Sequence, residues 1–465
     1  MSTSEIKLKE KIGYGFGDFA SSMFWKLFSV YLMIYYTDVF GISAAAVGTM
    51  FLVTRIWDAF NDPLMGIIAD RTQTRWGKFR PYLLWGAIPF AAIGVLTFTN
   101  PGLADNYKLL YAYITYTMMM MVYTVINVPY ASLLGVVSGN SADRTSLASY
   151  RMVFAFAGSI FVFVLVDRLT GFFSGGESGE PDLARGWFYT MIVYGSIAAG
   201  LFYLTFSWTR ERIAPPASQK NSLSEDFKNL IKNKPWFILL GAALSTLIFN
   251  SVRDGAAAYY FKYFFETQNI TLFGTTWGML TVYLVVGQAA NIVGVVLARP
   301  ISERIGKRIT FIGAMSGATV LSGIFYFMND QQLVPILVLQ CCISACAGII
   351  FPLLWSMYAD IADYSEYKTG RRATGFIFSS SSFSQKMGWT LGGALTGWLL
   401  AYYGYEANTV QTDVAKDGLR MMVSFIPAVG AAISATFMIF YKLTDSRMRE
   451  VTLELSSRRA TDQEK

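Results

Sequence analysis

From Tyr14 onward the chain alternates long apolar stretches with short polar ones. A helix needs about 20 apolar residues to cross a bilayer, and about twelve runs of that length can be read. They are Tyr14–Phe40, Ala44–Gly66, Tyr82–Asn100, Leu109–Leu134, Tyr150–Leu169, Trp187–Trp208, Trp236–Phe265, Thr275–Leu297, Ile309–Met328, Leu333–Tyr358, Thr374–Tyr403 and Met421–Tyr441. These runs are far too long for membrane strands, whose mark is weak alternation over about ten residues. The pattern predicts an all-α polytopic membrane protein of twelve transmembrane helices, with little chain left for a soluble domain.

Composition agrees. Of 465 residues 54% are hydrophobic and only 15% charged, where a soluble chain carries about a quarter. The net charge of +7 would suit nucleic acid, but its distribution does not, since a nucleic-acid footprint gathers on one soluble face. Most Lys and Arg fall instead in alternate loops: after the second run (Arg71, Arg75, Lys78, Arg80), in the centre (Arg210 to Lys234), after the eighth run (Arg299, Arg304, Lys307, Arg308) and in the tail. Positive loops stay inside, which predicts a bacterial inner-membrane protein with both termini cytoplasmic. The first run is too long for a signal peptide and ends in no A-x-A-like site. Cys341, Cys342 and Cys346 share one apolar run and read as packing residues. The absence of histidine excludes imidazole proton relays and His-ligated metals.

Two basic loops, "ADRTQTRWGKFR" and "ARPISERIGKR", lie about half a chain apart, and "RERIAPPASQKNSLSEDFKNLIKNKP" is the one long internal polar linker. Two six-helix halves follow: residues 1–208 and 236–442, joined by a cytoplasmic loop at 209–235 and trailed by a tail at 443–465. Such an arrangement suits a transporter built from parallel repeats.

The second run contains Arg55, Asp58 and Asp62, spaced i, i+3 and i+7 on one helical face. A charge at the bilayer centre costs at least about 2.5–3.5 kcal/mol, so intramembrane acids pair, face a wet cavity or bind something. A plain Arg–Asp pair accounts for one aspartate and leaves the other. Two carboxylates four residues apart suit a hard cation such as sodium or a shared proton. Asp18, Ser22 and Lys26 repeat every four residues in the first run. Thr124 and Asn127 share a face in the fourth, beside Tyr123. Lys386 with Trp389 sits in the eleventh. Aromatic rings with amides, carboxylates and Arg in a wet cavity suit sugars. The serines equally suit helix packing, and Met118–Met121 reads as ordinary lipid or core surface. Arg253 and Asp254 are adjacent and point apart, so a structural role is as good a reading as a functional one. Asp360, Asp363 and Glu366 with Arg371 and Arg372 suit ion pairs closing the cytoplasmic side, or a solvated charge run.

The stretches "YGFGD", "YYTDVFGIS", "RIWDAFNDPLMG", "RWGKFRPYLLWG", "YTVINVPYASL" and "DIADYSEYKTGRRATG", in this order, make the chain resemble the glycoside–pentoside–hexuronide:cation symporters, melibiose permease-like members of the major facilitator superfamily. The resemblance runs nearly end to end and implies the major facilitator fold and symport of a sugar with Na⁺, Li⁺ or H⁺. It implies Asp58, Asp62 and Thr124 as the cation (metal, for Na⁺) ligands, and Tyr123, Arg151 and Lys386 as lining or neighbouring the sugar pocket. Where melibiose permease has two sugar-gripping aspartates, this chain has Ser22 and Asn127, and Ala131 replaces a pocket tryptophan. Asp18 and Lys26 are additions. Asp18, Ser22 and Asn127 therefore join the candidate sugar-binding residues, and the sugar half of the site is rewritten while the cation half is kept. The expected partners are a small sugar, a monovalent cation and the bilayer, with no nucleic acid, no cofactor and a monomeric state. No nucleophile or metal constellation suggests an enzyme. A uniporter of the same fold is the alternative.

Overall fold

The computed structural model describes residues 6–138, 141–175, 181–212, 233–265, 269–272, 274–369 and 374–463. Residues 213–232 of the central loop, with Arg371 and Arg372, lie outside the described residues. Helix α1 (Leu8–Lys26) continues in wider π-helical turns over Leu27–Leu32 and Tyr35–Val39. Five more follow: α2 (Ala44–Arg71), α3 (Arg80–Thr97), α4 (Asp105–Val137), α5 (Ser141–Ser174) and α6 (Leu183–Trp208). After the central loop come α7 (Lys234–Tyr263), a hairpin of β1 (Asn269–Leu272) and β2 (Thr275–Gly278), α8 (Met279–Ile305), α9 (Lys307–Phe325), α10 (Leu333–Thr369) and α11 (Thr374–Tyr402). The chain ends with α12 (Asp413–Val423), α13 (Phe425–Ile439) and α14 (Asp445–Gln463).

Eight helical segments are long and apolar enough to cross a membrane, the last being α12 and α13 together over Asp413–Ile439. With α1, α2, α3 and α11 this makes twelve membrane-length segments among the described residues. The helices overrun the apolar runs at several ends, because a helix does not stop where hydrocarbon does: α10 continues to Thr369 through Asp360 and Glu366. One expected start is wrong. Thr275 opens a strand rather than a helix, since Gly274, at φ +75°, reverses the chain and pairs Leu272 with Thr275 in antiparallel register. The β-branched and aromatic residues of "NITL" and "TTWG" suit the ladder. The last span breaks at Ser424, where φ −127° and ψ −93° leave the helical region. The polar tail is helical over α14.

The chain forms two compact units. The first contains Met1–Ala217 with Asn269–Val285 and Leu400–Val410. Its helices approach closely at glycines. A Cβ on Gly17 would meet the Tyr130 ring at 2.4 Å, and one on Gly158 would meet the Phe19 carbonyl oxygen at 2.5 Å. So α1 lies against α4 on one side and α5 on another. At one end Phe98 stacks on Trp187 with centroids 5.2 Å apart, and Tyr35 packs on Phe98 at 5.0 Å. The hairpin segment sits on α5, where Thr281 Oγ1 donates to Asp167 Oδ2 at 2.5 Å and the Arg168 guanidinium lies 3.9 Å from the Trp277 ring centre. Tyr405 donates to the Asp38 carboxylate, and Asn408 Nδ2 to the Asp38 carbonyl at 2.6 Å.

The second unit contains Ser218–Gln268, Val286–Leu399 and Gln411–Lys465. Its interior polar groups tie helices together: Thr246 and Ser434 join α7 to α13 at 2.7 Å. Arg253, 5% exposed, donates to Gln340 Oε1 at 2.8 Å, and to Ser322 Oγ and the Val423 carbonyl at 3.3 Å each. Of its two open readings, the structure favours the structural one: Arg253 clamps α7 to α9, α10 and α12.

Replacing Gly158 by alanine drives a methyl into a backbone oxygen that has nowhere to move, and should cost about 1–3 kcal/mol. Thermal unfolding of the purified variant in detergent measures it. Unchanged stability would mean that α1 and α5 are looser than described.

Candidate functional site

The polar interior of the first unit is organised along α1 and α4, which run antiparallel. On α1, Asp18, Ser21, Ser22 and Trp25 occupy i, i+3, i+4 and i+7, one face. On α4, Tyr123, Asn127 and Tyr130 occupy i, i+4 and i+7. The two faces meet as a ladder. Trp25 lies 6.0 Å from Tyr123 between ring centroids. One turn along, Ser21 Oγ donates to Asn127 Oδ1 at 2.8 Å, while Asn127 Nδ2 donates to the Tyr123 carbonyl at 3.0 Å. At the far rung the Tyr130 ring stacks on Tyr14 at 4.8 Å, and its hydroxyl donates to the Tyr14 carbonyl at 2.6 Å.

Arg151 of α5 closes that end of the ladder. Its Nε donates to Asp18 Oδ2 and its second terminal nitrogen to Oδ1 at 3.3 Å. Its guanidinium also lies 5.1 Å from the Tyr130 ring centre. Fork-to-carboxylate geometry and the ring face below satisfy a charge that hydrocarbon would not tolerate alone. Asp18 and Arg151, two candidates placed far apart in sequence, thus form one neutral pair.

The adjoining flank of α4, about 60° round from Asn127, looks to α2. Thr124, 2% exposed, donates through Oγ1 to Asp62 Oδ1 at 2.9 Å. Arg55, two turns before Asp62, has its guanidinium 5.1 Å from the Trp25 ring centre. Asp58 lies on α2 between them, and its side chain is outside the described residues. The arrangement places a carboxylate–hydroxyl pair and an amide on α4 one turn apart: Thr124 on the α2 side, Asn127 on the α1 side.

Ser22 is half-buried and makes no hydrogen bond among the described residues; its neighbour Ser21, 2% exposed, is the one bonded to Asn127. Ser21, three residues from Asp18 and four before Trp25, ties α1 to α4 and was not among the residues singled out from sequence. Sequence reading also missed Tyr14, Trp25 and Tyr130, whose aromatic character was the available signal. Lys386 belongs to the second unit, on α11, half-buried. In that unit Asp360 is bridged by Lys307 at 2.6 Å. Met119 and Met120 are buried while Met118 and Met121 are exposed, the division of one helix between protein and lipid. Among the described residues no group of His, Cys, Asp and Glu has the makings of a multi-acid metal centre.

Twelve membrane-length helices and buried polar ladders define a polytopic membrane transporter of the major facilitator fold. Residues 13–445 match the family model described as MFS/sugar transport protein. The chain belongs to that family, and within it to the glycoside–pentoside–hexuronide:cation symporters. It is 34% identical to a putative glycoside/cation symporter, YagG, of Escherichia coli (strain K12), over 99% of this chain and 97% of the relative. It is 36% identical to the isoprimeverose transporter of Lactiplantibacillus pentosus, over 94% and 89%. Among solved structures the nucleoside transporter NupG superposes with a TM-score of 0.64 at 14% identity, covering 93% of this chain and all of the other; that likeness concerns the fold alone. The protein is therefore a multi-pass membrane protein that transports sugars.

Because Ser21 and Asn127 share one hydrogen bond, Ser21→Ala and Asn127→Ala should each destabilise the protein by about 1 kcal/mol, and the double variant by little more than either. Thermal unfolding of the four-member cycle measures this. Strict additivity would mean that the bond contributes nothing.

Proposed function

We propose that the protein is a symporter that couples entry of a small sugar to the downhill movement of a monovalent cation, by alternating access. The bond between Asp62 and Thr124 carries this reading. It brings an intramembrane carboxylate on α2 against a hydroxyl on α4, one turn from Asn127. Oxygen donors of this kind suit Na⁺, and a lone carboxylate in the same place suits H⁺. Asp58, four residues before Asp62, supplies the second carboxylate by family resemblance.

On the sugar side, the ladder offers an amide at Asn127, a hydroxyl at Ser22, ring faces at Trp25 and Tyr123, and the Asp18–Arg151 pair. Sugar hydroxyls take paired hydrogen bonds from amides and carboxylates, and their apolar faces lie on aromatic rings. The substrate class is a glycoside, a pentoside or a hexuronide. With Arg151 already neutralised by Asp18, uncharged sugars suit this ladder at least as well as anionic ones. Cation and sugar act on the same helix, α4, so each ligand that orders α4 favours the other, and the coupling is reciprocal. Both termini and the central loop are cytoplasmic on this reading, by the placement of the basic loops.

Asp62→Asn removes the charge the ion needs while keeping the shape of the side chain. The variant should insert normally, lose concentrative uptake and retain at most sugar exchange, read in vesicles with and without an imposed Na⁺ or H⁺ gradient. Gradient-driven accumulation in the variant would remove Asp62 from the coupling site, and gradient-independent uptake by the wild type would identify a uniporter.

Orientation is tested separately. A single cysteine in place of Ser218, which lies outside the described residues, should resist impermeant thiol reagents in intact cells and react once the membrane is opened. Labelling from outside would invert the topology.

A further inference from the structure

The second unit contains a cavity of about 950 Å³ that the transport reading does not use. It lies where the end of α8, the start of α9, the lower part of α10 and the tail helix α14 converge, beside one of the basic loops. We infer that this cavity is a binding site for the phosphate headgroup of an anionic phospholipid, held by Arg304 and Arg449.

The charges on its wall are unevenly matched. Lys307 is neutralised by Asp360 at 2.6 Å, and the Lys307 backbone N–H is accepted by Asp445 Oδ2 at 3.0 Å. Glu303 is taken by Arg299 at 2.8 Å, and Arg308 donates to the carbonyls of Met438 and Ile439 at the end of α13. Arg304 and Arg449 are left, against one lining carboxylate, Asp445, that takes only a backbone N–H among the described residues. Both line the cavity, both are exposed, and neither makes a hydrogen bond or ion pair among the described residues. Two guanidinia at the mouth of one cavity are the forked donors that a phosphodiester accepts bidentately.

The surroundings select a lipid over a free phosphate. Along α8, Val293, Val296 and Pro300 are exposed at i, i+3 and i+7, and this stripe leads to Arg304 at i+11. Val293 and Val296 are 53% and 66% exposed. Ile305 and Ile309, also exposed, flank the mouth. An apolar track along a membrane helix that ends at two cations has the layout of a phospholipid, acyl chains on the stripe and headgroup in the cavity. The tail helix is held from below by Met448, Val451 and Leu455, all buried, which keeps Arg449 over the opening.

The test uses the purified full-length protein in detergent, titrated with phosphatidylglycerol or phosphatidylcholine and read by native mass spectrometry. The wild type should retain one phosphatidylglycerol at concentrations where phosphatidylcholine is not retained. Arg304→Gln/Arg449→Gln should need about thirtyfold more phosphatidylglycerol, the order expected for removing two surface cations. Neither side chain has a partner to lose, so the fold should survive; Arg449→Glu alone, which repels the headgroup, serves should the double variant not be monodisperse. Equal retention of the two lipids, or of phosphatidylglycerol by wild type and variants, would overturn the site. Displacement of phosphatidylglycerol by millimolar inorganic phosphate, with phosphate binding the lipid-free wild type equally well, would assign a free anion and overturn the lipid reading. Uptake by the variants distinguishes this from the coupling proposal, since Asp62 and Thr124 are untouched.

Discussion

Hydrocarbon offers no water to a polar side chain, so each one inside the bundle must find a partner on another helix or face a solvated space. In the first unit the heaviest demand comes from Asp18 and Arg151, and they answer each other. Removing either would strand the other charge, at about 3–5 kcal/mol. The pair fixes α1 against α5, and the rest of the interior depends on that placement. Gly158 admits the Phe19 backbone on the same contact, and Gly17 lets the Tyr130 ring lie under the Arg151 guanidinium. Once α1 is seated so, Ser21 comes opposite Asn127 and Trp25 opposite Tyr123. The second unit meets the same constraint differently. Arg253 is held by a carboxamide, a hydroxyl and a carbonyl, all neutral, and ties four helices rather than two.

The spans were legible because bilayer thickness imposes a length on apolar runs, and no soluble fold imposes the same length twelve times. Their ends were not, because α10 and α5 extend into water where polarity no longer marks a boundary. The hairpin at Thr275 was lost inside an apolar-looking run, since "TTWG" has the hydropathy of a helix start but β-branched residues after a glycine turn. The break at Ser424 falls just before Pro427, which has no N–H to give the Val423 carbonyl, a signal hidden by the unbroken apolar run around it.

At the site, spacing along one helix was readable and pairing between helices was not. Asp18, Ser22 and Lys26 share a stripe, and so do Thr124 and Asn127, yet adjacent residues on a helix point about 100° apart, so helix rotation alone decides whether Ser21 or Ser22 meets Asn127. The same rotation made Arg151 the partner of Asp18. Family resemblance could nominate these residues singly; only the packing of α1 on α4 and α5 joins them.

Asn127 bears on what the ladder can do with a sugar. Its carbonyl oxygen accepts from Ser21 and its amide donates to Tyr123, which takes one of two acceptor sites and one of two donor hydrogens. The remaining donor and acceptor are held in fixed directions by the two bonds already made. A sugar hydroxyl pair that reaches them finds the amide already oriented, without the ordering cost of a free side chain. Arg151 is in a similar state: Asp18 occupies part of its fork and cancels its charge, leaving further N–H donors directed but electrostatically muted. If the ladder holds the sugar as proposed, it would distinguish sugars by where their hydroxyls stand more than by whether they carry a charge. The proposed coupling gains from the same rigidity. Because Thr124 and Asn127 are one turn apart on a continuous stretch of α4, a cation that shifts the bond between Asp62 and Thr124 turns the Asn127 amide with it.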